Sequence, residues 1–193
     1  MSDEQKQQEQ QQKPLKKFLH EYGYLLITAL VTVVLFKGIF NLAFVPTGSM
    51  EPTLPVKSVF LGTRLPWLVG DPVPEQGDIM MFYSQEYQEI LVKRVIGLPG
   101  QTVTFADGAV VVDGEVLEEE YLPLGTETWP GTSGESFTVP VDCVFLLGDN
   151  RGNSLDSRYW GNPYISLSDL RAHAFVAVSV KPDSSWQGIH GLT

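Results

Sequence analysis

The chain of 193 residues has one cysteine, Cys143, and three histidines, His20, His173 and His190. One cysteine excludes an intrachain disulfide. No Cys/His cluster has metal-ligand spacing and no glycine-rich phosphate loop is present, so neither a metal nor a cofactor is expected. Bases are also scarce, with 13 Lys and Arg against 23 Asp and Glu. Four of the acids and five of the bases precede Val45, which leaves 19 acids and 8 bases after it. A domain so acidic repels phosphate, and nucleic acid is excluded as a partner.

Long apolar runs are equally sparse, and the one present is therefore informative. Residues 1–21 are mostly Gln, Glu, Lys, Asp and Ser, the composition of a disordered tail. Residues 22–44 turn apolar and would form a helix of about 34 Å at ~1.5 Å per residue, enough to cross a hydrocarbon layer of ~30 Å. Lys13, Lys16 and Lys17 precede the run closely, so the positive-inside rule puts the N-terminus in the cytoplasm and residues 45–193 outside. Asn41-Leu42-Ala43 makes a poor cleavage site for a removable leader.

Beyond Phe44 short apolar runs alternate with Gly and Pro. Strands are expected over Ser58–Gly62, Asp78–Tyr83, Ile90–Ile96, Thr102–Phe105, Ala109–Val112, Phe137–Val139, Val144–Leu147 and Ala174–Val180. Asp107-Gly108 and Asp113-Gly114 suit hairpin turns around Ala109–Val112. Residues 118–134 read as an exposed acidic loop, and a short helix is expected near Ser166 or Ser168. The fold class is mostly β: a single N-terminal transmembrane helix, then an antiparallel β-rich domain.

Two residues stand in unusual company. Ser49 lies in Pro46-Thr47-Gly48-Ser49-Met50-Glu51-Pro52, directly after the apolar run, and Lys93 lies inside Ile90-Leu91-Val92-Lys93-Arg94-Val95-Ile96. Serine is a weak nucleophile until a base takes its proton, and lysine is a base only where something forces it neutral. Burial in a strand apolar on both faces lowers an ammonium pKa from ~10.4, in extremes to ~5–6. Taken alone, Lys93 is explained better by an edge strand whose lysine reaches into water. The histidines offer no better base. His20 falls on the other side of the anchor, His190 is three residues from the end, and His173 follows the expected short helix.

The order of four segments resolves this. Pro46 to Leu54, Gly77-Asp78-Ile79-Met80, Lys93 to Gly100 and the polar loop Gly148 to Gly161 resemble the bacterial type I signal peptidases, membrane-anchored Ser-Lys endopeptidases, and the likeness runs from about Tyr22 to Val180. The resemblance implies a β-rich catalytic core with a small β insertion, here within residues 107–139. It implies Ser49 as nucleophile, Lys93 as general base, Thr47 as an oxyanion donor beside the Ser49 N–H, and Ser154 as the hydroxyl orienting the amine. Arg94, Asp149, Asp156 and Arg158 correspond to bracing ion pairs, and Val45, Met50, Leu54, Phe60 and Val92 to apolar pocket walls. Ala43 departs from the common pattern at the deeper substrate pocket, where an aromatic is frequent, and Ala172 stands where a glycine is frequent; neither is one of the implied catalytic residues. The implied partners are preproteins emerging from the secretion machinery, and the lipid bilayer of the bacterial cytoplasmic membrane. A peptidase specialised for one secretion or pilin substrate, and a tethered peptide-binding module that does not cut, stay open on sequence alone.

Overall fold

The computed structural model describes residues 3–66, 70, 74–180 and 186–191. It divides into two compact units, Met1–Ile39 and Phe40–Thr193. The first is one helix, α1 (Asp3–Ile39). It begins well inside the stretch expected as a disordered tail, whose Gln, Glu and Lys are good helix formers. Its 20-residue segment His20–Ile39, whose most apolar 18-residue window has a mean hydropathy of 1.8, is long and apolar enough to cross a membrane. The helix stops five residues short of the expected boundary at Phe44. Phe40–Phe44 instead forms strand β1, because its backbone pairs in register with β2 (Val59–Thr63), Phe40 opposite Thr63 and Phe44 opposite Val59.

The second unit is built from two antiparallel sheets. Further strands are β3 (Ile79–Ser84), β4 (Glu89–Gly97), β5 (Thr102–Ala106), β6 (Ala109–Val112), β7 (Glu115–Val116) and β8 (Ser136–Thr138). They continue with β9 (Cys143–Leu147), β10 (Tyr164–Ser166), β11 (Leu170–Val180) and β12 (Trp186–Gly191). The large sheet runs β1-β2-β11-β3-β4-β9-β10, with β12 paired to β11, and the small sheet runs β7-β6-β5-β8. The expected insertion thus starts earlier, since β5 belongs to it. Both residues of Asp107-Gly108 and of Asp113-Gly114 have positive φ, from 50° to 89°, the requirement of the tight hairpin turns read there. The short helix expected near Ser166 is a single 3-10 turn, Leu167–Asp169, capped by the Ser166 hydroxyl. Leu170 follows in extended conformation, and His173 stands in β11, four residues after that turn.

Strand alternation divides the core into three clusters. On β3, Ile79 and Met81 face a cluster with Val45, Met50, Leu54 and Phe60, while Met80 and Phe82 face one with Val95 and Trp160. On β9, Val144 and Leu146 join that second cluster, whereas Phe145 and Leu147 join a third beneath the small sheet. The central strands are therefore covered on both faces, the condition that dehydrates a charged side chain carried by β4.

Candidate active site

Ser49 occupies the turn that follows β1. Glu51 N–H donates to Gly48 O at 3.2 Å and Leu54 N–H to Met50 O at 2.8 Å, and the buried side chains of Met50 and Leu54 pin the turn to the first cluster. Lys93 comes from β4, where Met80 of β3 lies opposite it in the register. Its Nζ donates to Ser49 Oγ at 2.7 Å, although 44 residues separate the two. Only 3% of Lys93 is exposed. Burial pulls its amine from 10.5 down to about 8, against Asp156 and Asp149, whose charges hold it up. At pH 7 about one molecule in ten then carries a neutral amine, able to accept the Ser49 proton.

Arg94 points to the other face. It grips Asp149 through Nε–Oδ1 at 2.9 Å and Nη2–Oδ2 at 2.7 Å, donates to Gly77 O at 2.6 Å, and lies 3.7 Å from the Tyr121 ring centre. Arg158 holds Asp156 the same way, with both contacts at 2.8 Å, and Asp156 Oδ2 also accepts from Gly148 N–H at 3.0 Å. All four charged side chains are buried. Such paired, hydrogen-bonded ions brace the loop between β9 and β10 and touch neither Ser49 Oγ nor Lys93 Nζ.

Ser154 does not reach the amine. Its hydroxyl is buried without a hydrogen-bond partner among the described residues. It lies over Gly148, where a Cβ would collide with Ser154 Oγ and with the Ser49 carbonyl. Thr47 is exposed and lines both cavities that meet at Ser49. The smaller, about 240 Å³, is walled by Val45, Met50, Leu54, Phe60 and Val92, together with Ala43 and Met81. The larger, about 560 Å³, runs from Ser49 and Lys93 past Leu91 to Ser154, Leu155 and Trp160. No histidine lines either one among the described residues. His173 is committed elsewhere, its Nε2 3.1 Å from Asp78 Oδ1. Cys143 lines neither cavity, and burial pushes its thiol up to about 11, so it is a poor nucleophile.

Two strand edges flank the smaller cavity. Among the described strands β1 pairs with β2 alone and β4 is joined by β9 only from Arg94 onward, so residues 89–93 have an open side there. An extended peptide can add to such edges.

A family model described as signal peptidase, peptidase S26, matches residues 19–179. The chain belongs to the signal peptidase family. It is 33% identical over 165 residues to a probable signal peptidase I-2 of Synechocystis sp., covering 81% of this chain and 71% of that one. It is 34% identical over 190 residues to signal peptidase I of Pseudomonas aeruginosa, covering 76% of this chain and 65% of the relative. A crystal structure of a signal peptidase I from Enterococcus faecalis matches at 30% identity and a TM-score of 0.45, covering 53% of this chain and 97% of that one.

Sequence reasoning missed Asn150, Arg151, Glu119 and Tyr121. Arg151, 3% exposed, donates to Gly148 O at 3.0 Å, to Thr128 Oγ1 at 2.7 Å and to both oxygens of Glu119. The segment read as an exposed acidic loop thus sends Glu119 and Tyr121 inward. Its only sequence signal was an aromatic beside three glutamates.

Proposed function

We propose that this chain removes N-terminal signal peptides from exported preproteins, with Ser49 as nucleophile and Lys93 as general base. The observation that carries the reading is the 2.7 Å contact between a buried, depressed-pKa amine and a serine hydroxyl at the meeting point of two cavities. The neutral Lys93 amine takes the Ser49 proton as Oγ attacks the scissile carbonyl. The oxyanion of the tetrahedral intermediate is met by the Ser49 N–H and the Thr47 hydroxyl. The ammonium returns its proton to the leaving amine, the mature chain departs, and water, deprotonated by the same lysine, hydrolyses the acyl-enzyme.

The apolar cavity of about 240 Å³ takes small side chains before the cut, and the substrate backbone pairs with the open edges of β1 and β4. The helix anchors the chain in the bacterial cytoplasmic membrane with its N-terminus inside and the β unit outside, facing emerging preproteins. Ser154, Arg94, Asp149, Asp156 and Arg158 support the site without touching the reacting atoms.

Purified protein should cleave a synthetic preprotein, and Ser49→Ala and Lys93→Ala should each reduce kcat by at least ~10⁴-fold. His173→Ala should stay within about threefold. Substantial cleavage by Lys93→Ala would defeat the assignment of the base.

A further inference from the structure

We propose that Asn150 is a positioning residue for the oxyanion donor, its carboxamide fixing the peptide that carries the Ser49 N–H. The inference rests on the Ser49–Lys93 reading above and adds to it the means by which the donor is aimed.

A trans peptide directs its C=O and N–H to opposite sides. The Gly48 carbonyl and the Ser49 N–H share one such unit. Gly48 O accepts from Asn150 Nδ2 at 2.9 Å, a contact between residues 102 apart in the chain, and also from Glu51 N–H at 3.2 Å. The Ser49 N–H consequently faces away from Asn150. It donates to no acceptor among the described residues. The next peptide is held as well, because Ser49 O accepts from the Asn150 backbone N–H at 3.1 Å. One residue thus grips the peptides on both sides of the nucleophile's Cα, leaving the Ser49 side-chain torsion as the free variable that meets Lys93.

Asn150 is itself anchored. It follows the buried Asp149, and its own carbonyl accepts from Asn153 N–H at 2.9 Å. Gly148, which tolerates no Cβ against the Ser49 carbonyl, lets this loop come close enough to make the grip. Chemistry dictates an amide at this position. A carbonyl requires a donor, and a donor at the carbonyl end polarises the peptide and strengthens its N–H toward a developing oxyanion. A carboxylate of the same shape would aim a charged acceptor at Gly48 O and turn the peptide away.

The test uses the full chain in phospholipid micelles, with parent, Asn150→Ala and Asn150→Asp compared on one preprotein. Inhibition by a peptide boronate, which forms a tetrahedral adduct with serine, is measured beside binding of a matched uncleavable peptide. Loss of the donor's aim should lower kcat for Asn150→Ala by ~10–100-fold, with KM within twofold. Boronate affinity should fall by the same factor as kcat/KM, peptide affinity should hold, and the pH midpoint of kcat should stay near that of the parent. Asn150→Asp, which keeps size and backbone contacts, should fold and should lose more activity than Asn150→Ala. An Asn150→Asp as active as the parent would overturn the proposal, as would a moved pH midpoint or an intact boronate affinity in Asn150→Ala. A parent that does not cleave, or an active Ser49→Ala, would instead sink the reading on which the proposal stands.

Discussion

Lys93 is carried at a thermodynamic cost, and pH exposes that cost. The unfolded chain keeps the Lys93 proton up to 10.5, while the folded chain releases it at about 8. Between those values the unfolded state binds more protons, so stability rises with pH across the window. Below 8 both states are protonated and the penalty is complete; above 10.5 both are neutral and it is gone. The full excursion is roughly 3 kcal/mol. Lys93→Met keeps the volume and removes the titration. The parent should therefore gain about 2–3 kcal/mol relative to Lys93→Met between pH 7.5 and pH 10.5, read from urea unfolding. A gap independent of pH would refute the depressed amine. Activity has the same sign, with kcat climbing through pH 8 as the amine becomes neutral.

Among the elements, the segment between β9 and β10 matters most, because three arginine–carboxylate pairs stitch it down. Arg94–Asp149 lies on the strand side, Arg158–Asp156 within the loop, and Arg151–Glu119 joins it to the segment before β8. Breaking a buried pair strands a charge at a cost of ~3–5 kcal/mol, whereas replacing both partners with apolar groups is often neutral. Asp149→Leu should lower the unfolding free energy by about that amount, and Arg94→Met with Asp149→Leu should recover most of it in the same urea titration. Equal losses in the single and double variants would argue against a stranded guanidinium.

How legible these elements were depends on their local signals. The strands from β2 to β6, together with β9 and most of β11, announce themselves by apolar runs ended by Gly, Pro or Asp-Gly turns. β1 hides because its Phe40–Phe44 continues the apolar run of the helix, and only pairing with β2 marks it as a strand. β7 and β10 are two and three residues long, too short for any period to show. Ser49 and Lys93 stood out through their neighbours. Asn150 and Glu119 did not, since each does its work on a residue 32 or 102 positions away. The expected bond from Ser154 to the amine is absent because Lys93 Nζ is directed to Ser49 Oγ, while Ser154 Oγ sits against Gly148.

On the scale of the whole molecule, the helix and the β unit divide the labour between location and chemistry. The β unit has its own three cores and contains every residue of the proposed site. A chain beginning at Phe40 should therefore fold and cleave a short soluble peptide with kcat/KM within about threefold of the full chain. Against a preprotein inserted in vesicles it should lose ~10²-fold, the advantage of confinement to the same surface. Equal rates on the vesicle substrate would show that the helix contributes nothing to encounter.

Strand β9 sends Val144 and Leu146 into one core and Phe145 and Leu147 into another. It is a party wall between two rooms, and neither room stands once it is removed. Melting of the small sheet would leave Phe145 without its ring partner Phe137, 4.7 Å away between centroids, and would loosen the strand from which the Asp149–Asn150 loop springs. Heat should consequently dismantle both sheets in one event, and inactivation should coincide with the loss of the insertion's own structure.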